Sequence, residues 1–124
     1  MPQNGSDVET CPQRVLLHLK DSRRLVVEPD DVYYLEADGD ETIVRRRGRR
    51  TLRDVRSLGE VMVVLESCHF HRIHDRWAVN LHRVREIRPQ RDGQDWEVVL
   101  HPPVNRVMTV SRRRLRGLMR RFGE

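Results

Sequence analysis

Residues Asp31–Arg46 read DVYYLEADGDETIVRR, and this stretch decides the fold class. Asp31 to Ala37 is dense in β-branched and aromatic side chains, which fit a pleated surface with neighbours on both sides. Asp38-Gly39-Asp40 is a hairpin signal, because glycine supplies the positive φ that tight turns require. Thr42 to Arg46 then returns as the antiparallel partner. Outward from this hairpin the same pattern repeats in shorter pieces. Arg14 to Lys20 and Arg23 to Val27 flank a turn at Asp21-Ser22, and Glu28-Pro29-Asp30 ends the second of them. Gly48 marks a turn before a short strand over Arg49 to Leu52. Val84 to Arg88, Trp96 to Leu100 and Val107 to Val110 are strands bounded by Pro89, Asp92-Gly93 and Pro102-Pro103.

The period changes at Ser57-Leu58-Gly59-Glu60, a capping box ahead of an apolar run. Leu58, Val61, Met62 and Leu65 recur at helical spacing and predict one buried face, with the helix stopping near Ser67. A second, short helix is predicted after Ser111, with Leu115, Leu118, Met119 and Phe122 on one side. His69 to Arg72 and Trp77 to Leu81 lie between these helices as compact, short segments. The expected fold is mainly β, with one central and one C-terminal α-helix. One domain over residues 14–124 accounts for the length, with residues 1–13 as a flexible leader.

Charge is distributed unevenly. Lys20 is the only lysine among 24 basic residues, so arginine carries the cationic character. Residues 45–56 hold seven arginines against Asp54, and residues 102–124 hold seven against Glu124, so each segment is net +6. Residues 31–44 are the reverse, net −5. Two basic blocks on a chain of net +5 point to a polyanionic partner. Mean hydropathy of −0.72 and the absence of a long apolar run exclude a membrane-spanning helix. The polar N-terminus lacks the apolar core of a secretory signal. Cys11 and Cys68 are far apart and form no C-x-x-C, the usage of a reduced, cytoplasmic protein. Aromatic residues make up only 5% of the chain, too few to stack a series of unpaired bases.

Four blocks, taken together, resemble the LytTR family of bacterial DNA-binding domains. Asp31 to Asp40 resembles the family opening I-x-Y-I-E-A-x-G-N-Y. Ser57-Leu58-x-Glu60 with its apolar helix is similar to the family's S-L-x-E-L helix. Phe70 to Leu81 (FHRIHDRWAVNL) resembles F-x-R-V-H-R-S-Y-I-V-N-L, and Val110-Ser111-Arg112-Arg113 resembles the closing V-S-R-R. The resemblance implies an elongated stack of short antiparallel sheets that reads double-stranded DNA from loops in successive major grooves, on direct repeats. It implies three contact regions: the turn Asp40 to Thr42, the turn Asp75-Arg76, and Arg112 to Arg114. The expected contact set is Thr42, Arg72, His74, Asp75, Arg76, Arg112, Arg113 and Arg114, with Arg45, Arg46, Arg47, Arg49 and Arg50 on phosphates. Arginine can fork onto guanine O6 and N7, whereas phosphate contacts set register without sequence preference. Both arginine blocks are expected to converge on one convex side.

The resemblance also implies a cytoplasmic transcription regulator of the response-regulator output type, dimeric on DNA. With only about 30 residues ahead of the first family block, the chain is expected to stand without a receiver domain, so that regulation comes from a separate protein, from abundance, or from nothing. Two features depart from the family pattern: Asp75 after the histidine, and the acidic turn Asp38 to Glu41. They keep open an alternative, a LytTR-like dimerisation or protein-interaction module with weakened DNA binding. Cys68, His69, His71 and His74 invite a metal reading, but only His82 or His101 could complete it, so neither metal nor cofactor is expected. No nucleophile-base pair is present in a defined motif, and no enzyme activity is expected.

Overall fold

The computed structural model describes residues 10–49 and 51–124. Among the described residues, ten strands form three antiparallel sheets. A two-stranded sheet pairs β1 (Val15–His18) with β2 (Arg24–Val27). The central sheet has five strands in the order β5-β4-β3-β7-β6. These are β3 (Val32–Asp38), β4 (Glu41–Arg46), β5 (Thr51–Asp54), β6 (Phe70–His74) and β7 (Trp77–Asn80). The third sheet orders β8 (Val84–Pro89), β9 (Trp96–Leu100) and β10 (Val107–Val110) as β10-β9-β8. Helix α1 (Leu58–Leu65) joins β5 to β6, and α2 (Arg112–Arg121) follows β10.

The hairpin expected from Asp31–Arg46 is present, in the register Asp38↔Glu41, Ala37↔Thr42 and Leu35↔Val44. Its apolar run is nearly continuous because both faces of β3 are covered. Val32 and Leu35 pack into a core with β1, β2 and α1, whereas Tyr33 and Tyr34 pack into a second core with the third sheet and α2. A register shift between Val32 and Tyr34 lets two consecutive tyrosines serve the same core, which strict alternation forbids. The first core is closed by Leu58, Val61, Met62 and Leu65, the face read from the helical spacing. The capping box is also formed: Glu60 N–H donates to Ser57 Oγ at 3.3 Å, and Ser57 N–H donates to Glu60 Oε1 at 2.9 Å. Leu118 anchors α2 in the second core.

The cysteine expectation is overturned. Cys11 and Cys68 form a disulfide across 57 residues of sequence, tying the segment ahead of β1 to the turn after α1. Spacing along the chain carries no information on this pairing, which depends on β1 and α1 packing in one core. Cys11 itself packs against that core, so the expected leader is anchored at this residue. Residues 1–9 of that leader lie outside the described residues. Among the described residues, no helix is long and apolar enough to cross a membrane.

Candidate nucleic-acid interface

The strand registers place the loops. Asp38 faces Glu41, Glu36 faces Trp77, and Trp77 faces His74. The β3–β4 turn and the β6–β7 turn (Asp75-Arg76) therefore emerge at the same end of the central sheet. They are joined directly, Ala37 N–H donating to Arg76 O at 2.7 Å. The start of α2 is brought to this end by two further bonds. Ser111 N–H donates to Ile73 O at 2.8 Å, and Trp77 Nε1 donates to Thr109 O at 2.9 Å. The three regions implied by the resemblance thus share one edge of the molecule.

Of the middle arginine block, Arg45, Arg46 and Arg47 do not share it. Arg46 pairs with Val32 and Arg45 with Thr51, so the β4–β5 turn lies at the opposite end of the strands. Six residues of β3 separate the two ends, roughly 20 Å at 3.3 Å per residue. The expected convergence of both blocks on one side is not what the topology builds. Arg47 is 74% exposed and stands 3.8 Å from Asp31, well away from the loop edge. Arg45 and Arg46 are half-buried along β4. Arg50 lies outside the described residues, as does the side chain of Arg49. Thr42 also leaves the contact set, because it has no exposed surface and its hydroxyl donates to Arg56 O at 2.9 Å. Its position in β4 opposite Asp54 turns it inward.

At the loop edge Asp38, Glu41 and Asp75 are paired with arginines. Arg53, on β5, reaches both Asp38 and Glu41 of the β3–β4 turn, bonding Glu41 at 3.3 Å. The Arg53 backbone pairs with Ile43, so its side chain meets Glu41 on the diagonal. Sequence reasoning missed this arginine; the alternation of β4 against β5 would have located it had the register been known. Asp75 Oδ1 accepts from Arg113 Nη2 at 2.6 Å and from Arg114 Nη2 at 3.2 Å. Hydrogen bonds from Arg114 and Arg113, together with the Arg113 charge, hold the Asp75 carboxyl below its usual range. Arg72 donates through Nε to His74 O at 3.4 Å and through Nη2 to Asp75 O. Burial and the nearby Arg114 pull the Arg72 pKa down, Asp75 opposes them, and Arg113 adds to the lowering. Arg112 contacts Asp95 at 3.4 Å. The pairing leaves the positive surplus on α2, which carries six arginines and no acidic residue.

His74 stacks on Trp77 with ring centroids 4.3 Å apart, and its Nδ1 accepts from Arg76 N–H at 3.1 Å. It shapes the β6–β7 turn, whereas Arg76 in that turn is exposed. The other histidines are dispersed: His69 lies against His82 with the rings tilted, and His71 lies against Gly117 of α2. Among the described residues no three His, Cys, Asp or Glu groups are arranged to hold a metal ion.

Comparison with known proteins identifies the family of the chain. The transcriptional regulatory protein YpdB of Escherichia coli strains CFT073 and K12 is 37% identical over 71 residues. The match takes in 57% of this chain but only 29% of those relatives, so the chain spans under a third of their length. The LytTr DNA-binding domain of a Bacillus cereus protein superposes with a TM-score of 0.72 at 23% identity, covering 91% of this chain and 99% of that one. The family model for the LytTr DNA-binding domain matches residues 22–123, and the chain belongs to that family.

Proposed function

We propose that this chain binds double-stranded DNA sequence-specifically through the loop edge formed by the β3–β4 turn, the β6–β7 turn and the N-terminus of α2. The observation that carries the reading is the convergence of those three loops beside an arginine-rich helix. Arg113 and Arg112, 69% and 72% exposed, and Arg76 reach base edges in the major groove. Free backbone N–H groups at the start of α2 suit a phosphate oxygen, with Arg116 and Arg120 on neighbouring phosphates. His74 and Arg72 support the β6–β7 turn from behind. Arg45, Arg46 and Arg47, at the far end, play no part in base reading. The chain acts as a cytoplasmic bacterial transcription regulator, on direct repeats that bring two copies together. The features that favoured an interaction module instead were the acidic turn and Asp75, and arginines pair with Asp38, Glu41 and Asp75 among them.

Selection of bound sequences from a random duplex pool, followed by mobility shift with salt varied, tests this. Log affinity should fall linearly with log salt, by about 0.9 per phosphate contacted. Arg113→Ala should lose about 1–3 kcal/mol of discrimination at one base pair. Arg47→Ala should leave affinity and salt slope nearly unchanged. Equal losses in the two variants would refute the assignment to the loop edge.

A further inference from the structure

From the clasp between the β6–β7 turn and α2, we infer that Asp75 is a positioning residue for DNA readout, setting the Arg113 guanidinium for its base and thereby the sequence preference. The inference rests on the DNA-binding reading above.

Asp75 stands in a cluster of arginines from two elements. Arg72 comes from β6, and Arg113 and Arg114 come from the first turn of α2. Both bonds to the carboxylate land on Oδ1. Arg114 is 25% exposed and acts as a wedge between β6 and α2, whereas Arg113 is 69% exposed and projects from the edge. One Nη2 hydrogen of Arg113 is committed to Asp75, and most of its five N–H donors remain for a ligand. A free arginine loses rotamer freedom when it docks on a base; one already held by a carboxylate has lost part of that freedom beforehand. The planar fork reads a guanine edge only in the correct plane, so a fixed guanidinium discriminates better than a mobile one.

The same carboxylate moderates non-specific attraction. Arg72, Arg113 and Arg114 would otherwise present three adjacent cations to any phosphate. Asp75 removes one unit of that charge where every duplex, matched or mismatched, would use it. Removing the carboxylate therefore acts in opposite senses on two quantities: general duplex affinity rises, and discrimination falls. A purely structural role would move neither in this pattern.

The test is a double-mutant cycle on the full chain, using wild type, Asp75→Ala, Arg113→Ala and the double variant. Each is titrated with the best duplex from the selection and with the duplex mismatched at the position that Arg113 reads. Thermal melting of each variant confirms that it is folded. Asp75→Ala should bind the mismatched duplex several-fold tighter, steepen the salt slope, and reduce the matched-to-mismatched ratio at least fivefold. In the Arg113→Ala background, the Asp75 change should leave that ratio untouched. Asp75→Asn, which retains an oxygen acceptor without the charge, should keep part of the discrimination. An additive cycle would overturn the inference, since Asp75 would then contact a base itself. An unchanged ratio in Asp75→Ala would overturn it too, reducing Asp75 to a charge effect. A wild-type chain that binds all duplexes alike would instead sink the DNA-binding reading, and this inference with it.

Discussion

Asp54 offers a stability test that is independent of DNA. It closes β5 with no exposed surface, and its carboxylate accepts four hydrogen bonds. His18 N–H donates to Oδ2 at 2.9 Å, and Arg56 donates through its backbone N–H at 2.9 Å, Nε at 3.0 Å and Nη2 at 2.7 Å. Arg56 Nη2 also reaches Leu16 O at 3.1 Å, so the pair staples β1 to the central sheet. Asp54→Ala removes all four bonds and strands two backbone donors and a guanidinium that is only 18% exposed. Breaking a buried pair from one side costs about 3–5 kcal/mol. Arg56 can partly rehydrate, which places the expected loss near 3 kcal/mol, against a typical total of about 5–15 kcal/mol. For a domain of this size, that lowers Tm by about 10 °C. Burial raises the Asp54 pKa, but hydrogen bonds from Arg56 and from the His18 and Arg56 backbones, with the Arg56 charge, outweigh it and leave the folded value depressed. The stabilisation is therefore fully present above the unfolded value of 3.8 and is lost as pH falls through the lower folded value. Urea denaturation at neutral pH and at a series of acid pH values measures both effects. In Asp54→Asn the same acid-dependent component should be missing. A loss below about 1 kcal/mol, or an unchanged acid limb, would show that the staple does not bear on folding.

Two further predictions concern the scaffold. Reduction of the Cys11–Cys68 disulfide, or Cys11→Ser, should lower stability by about 4 kcal/mol on the chain-entropy estimate for a loop of this length. Urea midpoints under oxidising and reducing conditions would reveal it, and coincident midpoints would mean that the thiols are unpaired in solution. Gly117→Ala should stabilise α2 by about 0.5–1 kcal/mol, because a Cβ there meets His71 only at an ordinary 3.6 Å. A fall in Tm would show that His71 cannot accommodate the methyl group.

Sequence alone determined most of the strands, both helices and, through the family resemblance, the three loops; β6 and β7 it left as short segments with no strand assigned. The hairpin at Asp31–Arg46, the capping box at Ser57 and the buried stripe of α1 are local patterns. Side-chain direction follows the backbone period, so a run of ten residues suffices to read them. The resemblance named the turns around Asp40, Asp75 and Arg112; the registers bring the first two to one edge, and bonds from Ser111 to Ile73 and from Trp77 to Thr109 bring the third. Counting charge along the chain was less informative. It treated the middle arginines as one block, although the antiparallel order of β3, β4 and β5 sends Arg45 to Arg47 to one end and Arg53 to the other. It left Asp38, Glu41 and Asp75 as isolated carboxylates, although Arg53, Arg113 and Arg114 neutralise them. Thr42 buried, Cys11 bonded to Cys68 and Asp75 clasped to α2 belong to the tertiary structure alone. Each depends on which residues lie opposite one another across tens of positions, and strand register and core packing set that, not any pattern within a single segment.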